Sequence, residues 1–133
     1  MNQYLLDTNI CIYFLKGQFN INEKIKKIGV ENCFLSEMSI AEMKFGVENS
    51  DKKEENRKHL VKFQSLFGII PIFPSLDIYA KEKSRLRKRG QIVDDFDLLI
   101  GATAIFNDLT LVTRNVKHFE RLDKIKIEDW TKE

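Results

Sequence analysis

The stretch Tyr4-Leu5-Leu6-Asp7-Thr8-Asn9 decides the fold, because a short apolar run ends at an acid and passes directly into a helical pattern. Tyr4 to Leu6 is typical of a buried strand. The following pattern predicts a helix from Asn9 to Lys16, with Thr8 as its N-cap and Gly17 as its stop. A strand that leads straight into a helix is the building unit of parallel α/β sheets.

The same alternation continues along the chain. We predict further strands at 33–35, 69–73, 109–113 and 125–127, and further helices at 23–28, 40–48, 52–67, 76–89 and 96–106. Pro71 indicates that the 69–73 strand lies at an edge or ends there. The 96–106 helix is apolar almost all round, so we expect it to be buried. The pattern therefore predicts an α/β fold, with a mainly parallel sheet of four to five strands between helices.

Size and composition favour one ordinary domain. The chain has 133 residues, 43% apolar and 32% charged, which predicts a single domain over residues 1–133. A net charge of +2 neither favours nor opposes a nucleic-acid partner. Cys11 and Cys33 lie in apolar runs, so we expect free, buried thiols. No leader and no membrane-length apolar run is visible, so we expect a cytoplasmic protein.

Three acids follow or begin the predicted elements: Asp7, Glu42 and Asp97. The carboxyl ends of parallel strands meet at one edge of a sheet, so acids far apart in sequence converge there. Such a cluster repels itself unless a cation lies between its members. Oxygen ligands favour Mg²⁺ or Mn²⁺. The simplest chemistry for this site is metal-assisted hydrolysis of a phosphodiester.

Each acid also has an ordinary structural interpretation. Ser39-Ile40-Ala41-Glu42 fits a capping box at a helix start. Asp97 would complement a helix dipole from the first turn, and Asp7 would form an Asx turn before Thr8. Against this, Asp97 is the only charge between Phe96 and Asn107. Spacing alone leaves both interpretations open.

The chain resembles the PIN-domain nucleases, and among them the VapC-type toxins of toxin–antitoxin pairs. The matching segments follow the family's order along the whole chain: Leu5 to Asn9, Ser39 to Gly46, Phe96 to Ala104, Leu111 to Asn115 with Phe119, and Glu128-Asp129-Trp130. The resemblance implies a PIN-like sandwich in which Asp7, Glu42 and Asp97 bind the metal and act in catalysis. Many members carry a fourth acid where this chain has Asn115.

Accessory roles follow from the same resemblance. We expect Asp94, Asp95 or Glu120 to compensate for the charge missing at Asn115. Thr8 and Thr113 would position water or an acid, or else act as ordinary caps.

The resemblance also implies an activity and partners. We expect a Mg²⁺- or Mn²⁺-dependent endoribonuclease, the toxin of a type II toxin–antitoxin system, that inhibits translation by cleaving structured RNA such as tRNA with metal-activated water. It implies a homodimer and a cognate VapB-like antitoxin whose tail covers the acidic groove. Promoter DNA would be bound only through the antitoxin, and no membrane is involved.

Basic residues crowd the end of the 76–89 helix and recur after the fourth strand. The candidates for RNA binding are Arg85, Arg87, Lys88, Arg89 and Arg114. A cationic rim around an acidic pocket would hold RNA phosphates, although solvated helix faces explain most such residues. We expect His59 and His118 to be surface residues, because a metal-activated water needs no histidine base.

Two other classes stay open. The first is a non-catalytic binding module that keeps this fold, which the missing acid at Asn115 favours. The second is a phosphatase or receiver-type domain with an acidic Mg²⁺ pocket. A receiver would have a lysine after a late strand, where this chain has Thr113-Arg114, and an acid at the end of its third strand, which is absent here.

Overall fold

A five-stranded, wholly parallel sheet forms the centre of the computed structural model, which describes residues 2–132. The strands are β1 (Tyr4–Leu6), β2 (Cys33–Ser36), β3 (Gly68–Ile70), β4 (Thr110–Val112) and β5 (Lys126–Glu128). Their order across the sheet is β3-β2-β1-β4-β5, with each neighbouring pair parallel. The first strand in the sequence is therefore the central strand of the sheet.

In the part of the chain that the structure describes, seven helices connect or flank the strands. They are α1 (Thr8–Lys16), α2 (Ile21–Ile28), α3 (Glu37–Glu48), α4 (Lys53–Gln64), α5 (Leu76–Lys88), α6 (Asp95–Phe106) and α7 (Val116–Phe119). Two single 3₁₀ turns lie at Val30–Asn32 and Phe73–Ser75. Within residues 2–132, no helix combines the length and the apolar character needed to cross a membrane.

Alternation along the strands divides the core into two halves. In β1, Leu6 packs with α1, α2, α3 and α4, while Leu5 packs on the other side with α5, α6 and α7. In β4, Val112 and Leu111 divide in the same way. Successive strand side chains point to opposite faces, so the sheet has helices on both faces. This confirms the predicted three-layer α/β/α sandwich.

Several predicted details are confirmed. The 69–73 strand is an edge strand, although it ends at Ile70, one residue before Pro71. A fifth strand exists, and both cysteines are free and buried. The 96–106 helix is buried along most of its length, from Leu98 to Ala104, while its terminal phenylalanines are exposed.

Two predicted N-cap residues are wrong. Asp7, not Thr8, caps α1, because the Asp7 side chain accepts a hydrogen bond from the Thr8 N–H. The third helix begins at Glu37 with Ser36 as its cap, so Ser39 and Glu42 lie inside it. The capping-box interpretation of Glu42 is therefore wrong, and its carboxylate is available for another role.

Candidate active site

Asp7 lies at the carboxyl end of the central strand and is almost completely buried, with 3% of its surface exposed. One carboxylate oxygen accepts from the Thr8 N–H at 2.8 Å. The other accepts from the Thr113 hydroxyl at 2.8 Å, directly after β4. The Thr113 oxygen in turn accepts from the Asn115 N–H at 3.0 Å. The hydrogen bond between Asp7 and Thr113 therefore joins the carboxyl ends of the neighbouring strands β1 and β4.

Glu42 reaches the same edge from the second turn of α3. Its Oε1 accepts from the Thr8 hydroxyl at 2.7 Å. The hydroxyls of Thr8 and Ser39 are hydrogen-bonded to each other at 2.9 Å, and Ser39 is fully buried. Thr8 therefore connects α1 to α3 and fixes Glu42 next to the helix that Asp7 caps.

Asp97 enters the pocket from the first turn of α6. Its Oδ2 lies 3.0 Å from Nε2 of His118, which belongs to α7. The side chains of both residues are about one-third exposed. The expectation that His118 is a plain surface residue is therefore wrong, because it contacts a predicted site acid. His59 is exposed, as expected.

The carboxylates of Asp7, Glu42 and Asp97, here called the acid pocket, lie near enough to affect one another's pKa. Burial raises the pKa of Asp7 to about 6, and repulsion by Asp97 and Glu42 adds to this rise. Burial also raises the pKa of Glu42, with further repulsion from Asp97 and Asp94. Burial raises the pKa of Asp97 too, while His118 opposes the rise. The acids are near enough to disfavour one another's charge, as expected of a cation site.

The donor set fits a hard divalent cation in its chemistry, and the residues that would hold it are Asp7, Glu42 and Asp97. Within residues 2–132, no three His, Cys, Asp or Glu side chains stand close enough together to hold an ion as they are. Each acid instead accepts from its own neighbour: Thr113 for Asp7, Thr8 for Glu42 and His118 for Asp97. Metal ligation by this set therefore stays a prediction, and it requires side-chain adjustment.

The accessory residues divide into near and remote. Thr8 and Thr113 donate directly to two of the site acids, Glu42 and Asp7. Asp94 caps α6 and adds negative charge next to Asp97 and Glu42. Asp95 instead accepts from Tyr79 at 2.9 Å and from Lys83 at 2.8 Å. Asn115 and Glu120 are exposed on either side of α7.

The basic residues predicted to bind RNA also differ in their surroundings. Arg85 forms two hydrogen bonds of 2.9 Å with Glu82 and donates to the Arg121 carbonyl at 2.7 Å, so it ties α5 to the segment after α7. At the end of α5, Arg87, Lys88 and Arg89 are exposed. An open depression of about 560 Å³ along α5 is lined by Ala80, Lys81, Ser84, Arg85, Lys88 and Arg89. Arg114 lies over the rings of Tyr13 and Phe19.

Sequence reasoning missed His118 and Ser39 as parts of this network. Asn115 and His118 are one helical turn apart, and a turn beginning at Asn115 brings the histidine back towards the sheet edge. That spacing was the only available signal, because α7 is four residues long and has no visible periodicity. Ser39 also fits the pattern of a helix cap, and this pattern concealed its role in the network.

Comparisons with known proteins give the family. Residues 4–125 match the PIN domain. The chain belongs to the PIN-domain family. It is 36% identical over 132 residues to Ribonuclease VapC2 of Rickettsia felis, covering 97% of this chain and 98% of that protein. It is 28% identical to the tRNA(fMet)-specific endonuclease VapC of Shigella flexneri, covering 98% and 100%.

Solved structures agree with this PIN-domain assignment. The complex of VapBC2 from Rickettsia felis with a DNA fragment from its promoter contains a chain that superposes with a TM-score of 0.88 at 34% identity, covering 96% of this chain and 98% of that one. The predicted VapC-type PIN fold and nuclease class are therefore confirmed.

Proposed function

We propose that this PIN-domain protein is a Mg²⁺- or Mn²⁺-dependent endoribonuclease that acts in the cytoplasm as the toxin of a type II toxin–antitoxin pair. The observation that carries the proposal is the pocket itself. Asp7 before α1, Glu42 in α3 and Asp97 in α6 lie at the carboxyl edge of the sheet, near enough to raise one another's pKa by repulsion. The names of the relatives, ribonuclease and endonuclease VapC, support RNA as the substrate.

In this proposal the chain's own residues prepare the site before substrate arrives. Thr113 fixes the orientation of Asp7, and Thr8 fixes that of Glu42. A divalent ion, when bound, would activate water and stabilise charge on the phosphoryl and leaving oxygens. Water as the nucleophile leaves the 2′-hydroxyl intact. The products should therefore carry 5′-phosphate and 3′-hydroxyl ends.

The substrate class and partners belong to the same proposal. We infer a structured RNA, with tRNA as the leading class because a relative is named for tRNA(fMet), and inhibition of translation as the result. The VapBC neighbours support a VapB-like antitoxin, and their DNA-bound form supports promoter binding through that antitoxin. A homodimer is proposed from the family resemblance alone.

One observation favours a second candidate, a PIN-fold binding module without catalysis. In residues 2–132 no three metal-binding side chains are close enough to hold an ion without adjustment. Isothermal titration with Mn²⁺ and Mg²⁺ separates the two. Binding that is lost in Asp97→Asn supports the nuclease, and no binding by the wild-type protein supports the module.

The decisive experiment incubates purified protein with total RNA, with and without Mg²⁺, and maps the cut ends. We expect cleavage by the wild-type protein with Mg²⁺, and none by Asp7→Asn, Glu42→Gln or Asp97→Asn. Glu48→Gln is the matched control, because Glu48 ends the same helix as Glu42 and pairs with Arg57 on the surface. Wild-type cleavage by Asp97→Asn would refute the site assignment.

A further inference from the structure

Tyr13, Phe19 and Arg114 form a cluster on the surface, here called the aromatic–arginine cluster. The rings of Tyr13 and Phe19 meet edge to face with centroids 4.8 Å apart. The Arg114 guanidinium lies 5.1 Å from the Phe19 centroid and 6.0 Å from that of Tyr13. It also donates to the Tyr13 hydroxyl at 3.3 Å. Phe19 remains 40% exposed, so the cluster presents planar groups to solvent.

The cluster lies beside the acid pocket. Arg114 directly follows Thr113, whose hydroxyl holds Asp7. Tyr13 belongs to α1, the helix that Asp7 caps, and six residues of helix span roughly 9 Å. Helix α1 with its cap and the segment after β4 thus each contribute residues to both the acid pocket and the cluster. A nucleotide next to a phosphodiester held at Asp7 would reach Tyr13 and Arg114.

The backbone holds Phe19 in place. Phe19 and Asn20 both adopt left-handed conformations, with φ of 58° and 56°. This geometry is unusual for a bulky residue such as Phe19. The turn directs Ile21 into the core and leaves Phe19 against Tyr13 on the surface. The turn and the contact with Tyr13 therefore place the exposed ring at this position.

The chemistry of the cluster suits an unpaired base of RNA. Bases of single-stranded segments stack on aromatic rings and on arginine planes, and this stacking tolerates different sequences. The positive charge of Arg114 also attracts the adjacent phosphate. Arg114 forms no ion pair with any acid in residues 2–132, so its charge is not neutralised there.

We propose that Tyr13, Phe19 and Arg114 form a stacking site for an unpaired nucleobase next to the cleaved phosphodiester. The inference rests on the proposed ribonuclease function and deepens it. It assigns a base-binding role to two aromatic residues outside the acid pocket. It also predicts that the cleaved position lies in a loop or another unpaired segment of the substrate.

The test measures binding of a short single-stranded RNA labelled with 2-aminopurine, without metal, in an Asp97→Asn background that cannot cleave. Stacking quenches the fluorescence of this base analogue. We expect quenching by the parent protein and a 5- to 100-fold weaker affinity, with loss of quenching, in Phe19→Ala and Arg114→Ala. Phe106→Ala is the matched control, because Phe106 is also exposed (51%) but lies at the far end of α6.

Arg114→Lys separates stacking from simple charge attraction. Lysine keeps the charge but lacks the planar guanidinium, so we expect it to lose quenching while the salt dependence of binding stays unchanged. Full quenching in both Arg114→Lys and Phe19→Ala would overturn the stacking site. Melting curves check that each variant is folded. If Phe19→Ala does not fold, Arg114→Lys still tests the stacking site.

The two proposals fail in different ways. A protein that neither binds nor cleaves RNA would refute the proposed function. A protein that cleaves RNA, with a Phe19→Ala variant that binds and cleaves like the wild type, would refute the stacking site alone.

Discussion

Asp7 is a carboxylate with almost no contact with solvent, and this has a measurable effect on stability. Its pKa of about 6 lies above its ordinary value of 3.8. The folded protein therefore binds this proton more tightly than the unfolded chain. The stabilising contribution is complete below pH ~3.8 and is lost as the pH rises through ~6. The full loss is about 3 kcal/mol at most.

Asp7→Asn should remove this pH dependence in metal-free protein. We expect the free energy of unfolding of the wild type to fall, relative to the variant, between pH ~4 and ~6.5. Asparagine is a good N-cap, so the start of α1 should persist. Urea denaturation in EDTA across this pH range measures the effect. Parallel pH profiles for the two proteins would show that Asp7 is not the group responsible.

His118 offers a second test at the residue scale. Side chains that hold a metal ligand usually change metal affinity 10–100-fold when removed. We therefore expect His118→Ala to weaken Mn²⁺ binding about tenfold, and His118→Gln, which keeps an N–H donor, to restore part of it. Calorimetric titration without RNA is the measurement.

His59→Ala is the control for this experiment, because His59 is exposed on α4 and, among residues 2–132, forms no ion pair with any of the three acids. Tighter Mn²⁺ binding by His118→Ala would contradict the prediction. It would show that His118 competes with the ion for Asp97.

The predictability of single residues depended on the length of the elements that carry them. Asp7 follows a strand whose apolar character is plain, so its place at the sheet edge could be predicted. Thr8 was recognised as an accessory residue, but its hydroxyl bonds to both Ser39 and Glu42 depend on packing between α1 and α3. His118 lies on a helix of four residues, too short for any periodic signal.

At the scale of elements, two adjacent acids at the start of α6 have different roles. Asp94 caps the helix and adds charge to the pocket, whereas Asp95 pairs with Lys83. We expect Asp94→Asn to weaken Mn²⁺ binding several-fold, because it removes a nearby negative charge while keeping a good N-cap. Asp95→Asn, two residues from Asp97, should leave metal affinity unchanged. The reverse order in calorimetry would contradict this arrangement.

Arg85 tests whether a basic side chain on α5 stabilises the fold or binds RNA. Glu82 is 9% exposed and also accepts from the Asp123 N–H at 2.6 Å. Removing Arg85 would leave this carboxylate partly unpaired. We expect Arg85→Ala to lower the free energy of unfolding by about 1–3 kcal/mol. Lys88→Ala, exposed on the same helix, should stay within about 0.5 kcal/mol.

Urea denaturation of the Arg85 and Lys88 variants measures this difference. A fully stable Arg85→Ala with weakened RNA binding would instead make Arg85 a nucleic-acid contact.

Helix starts were less predictable than helix existence. The segment Ser36-Glu37-Met38-Ser39 offers two serines that could cap α3. Ser36 caps it because Ser39 is buried against Thr8, a contact between residues 31 positions apart. Local pattern alone could not distinguish the two.

At the scale of the whole molecule, the alternation of strands and helices was enough to predict the sandwich. The strand order was not predictable from pattern, because β1 lies between strands from distant parts of the chain. The single domain over 1–133 and the homodimer remain predictions.

The proposed antitoxin provides a prediction at this scale. We expect it to insert an arginine or lysine among Asp7, Glu42 and Asp97, because an arginine can bridge carboxylates and stays charged at physiological pH. Free toxin should then bind Mg²⁺ more tightly than the complex does. Without metal, Asp7→Asn/Asp97→Asn should bind the antitoxin at least tenfold more weakly than the wild type, because one partner of each buried charge pair is removed. Equal affinities in a pull-down titration would show that the antitoxin only covers the groove.

The bond between Asp7 and Thr113 joins residues 106 positions apart. Ribosomes release the N-terminal end first, so β1 emerges long before β4, one of the two strands that pair with it. The ribosome adds Asp97 and Thr113 long after Asp7 and Glu42. A polypeptide still being translated therefore has no assembled acid pocket, and a prematurely terminated one never acquires it. A cell making this proposed RNA-cleaving enzyme is exposed to its activity only after residue 113 has been added and has left the ribosome, which is when an inhibitor has to be at hand.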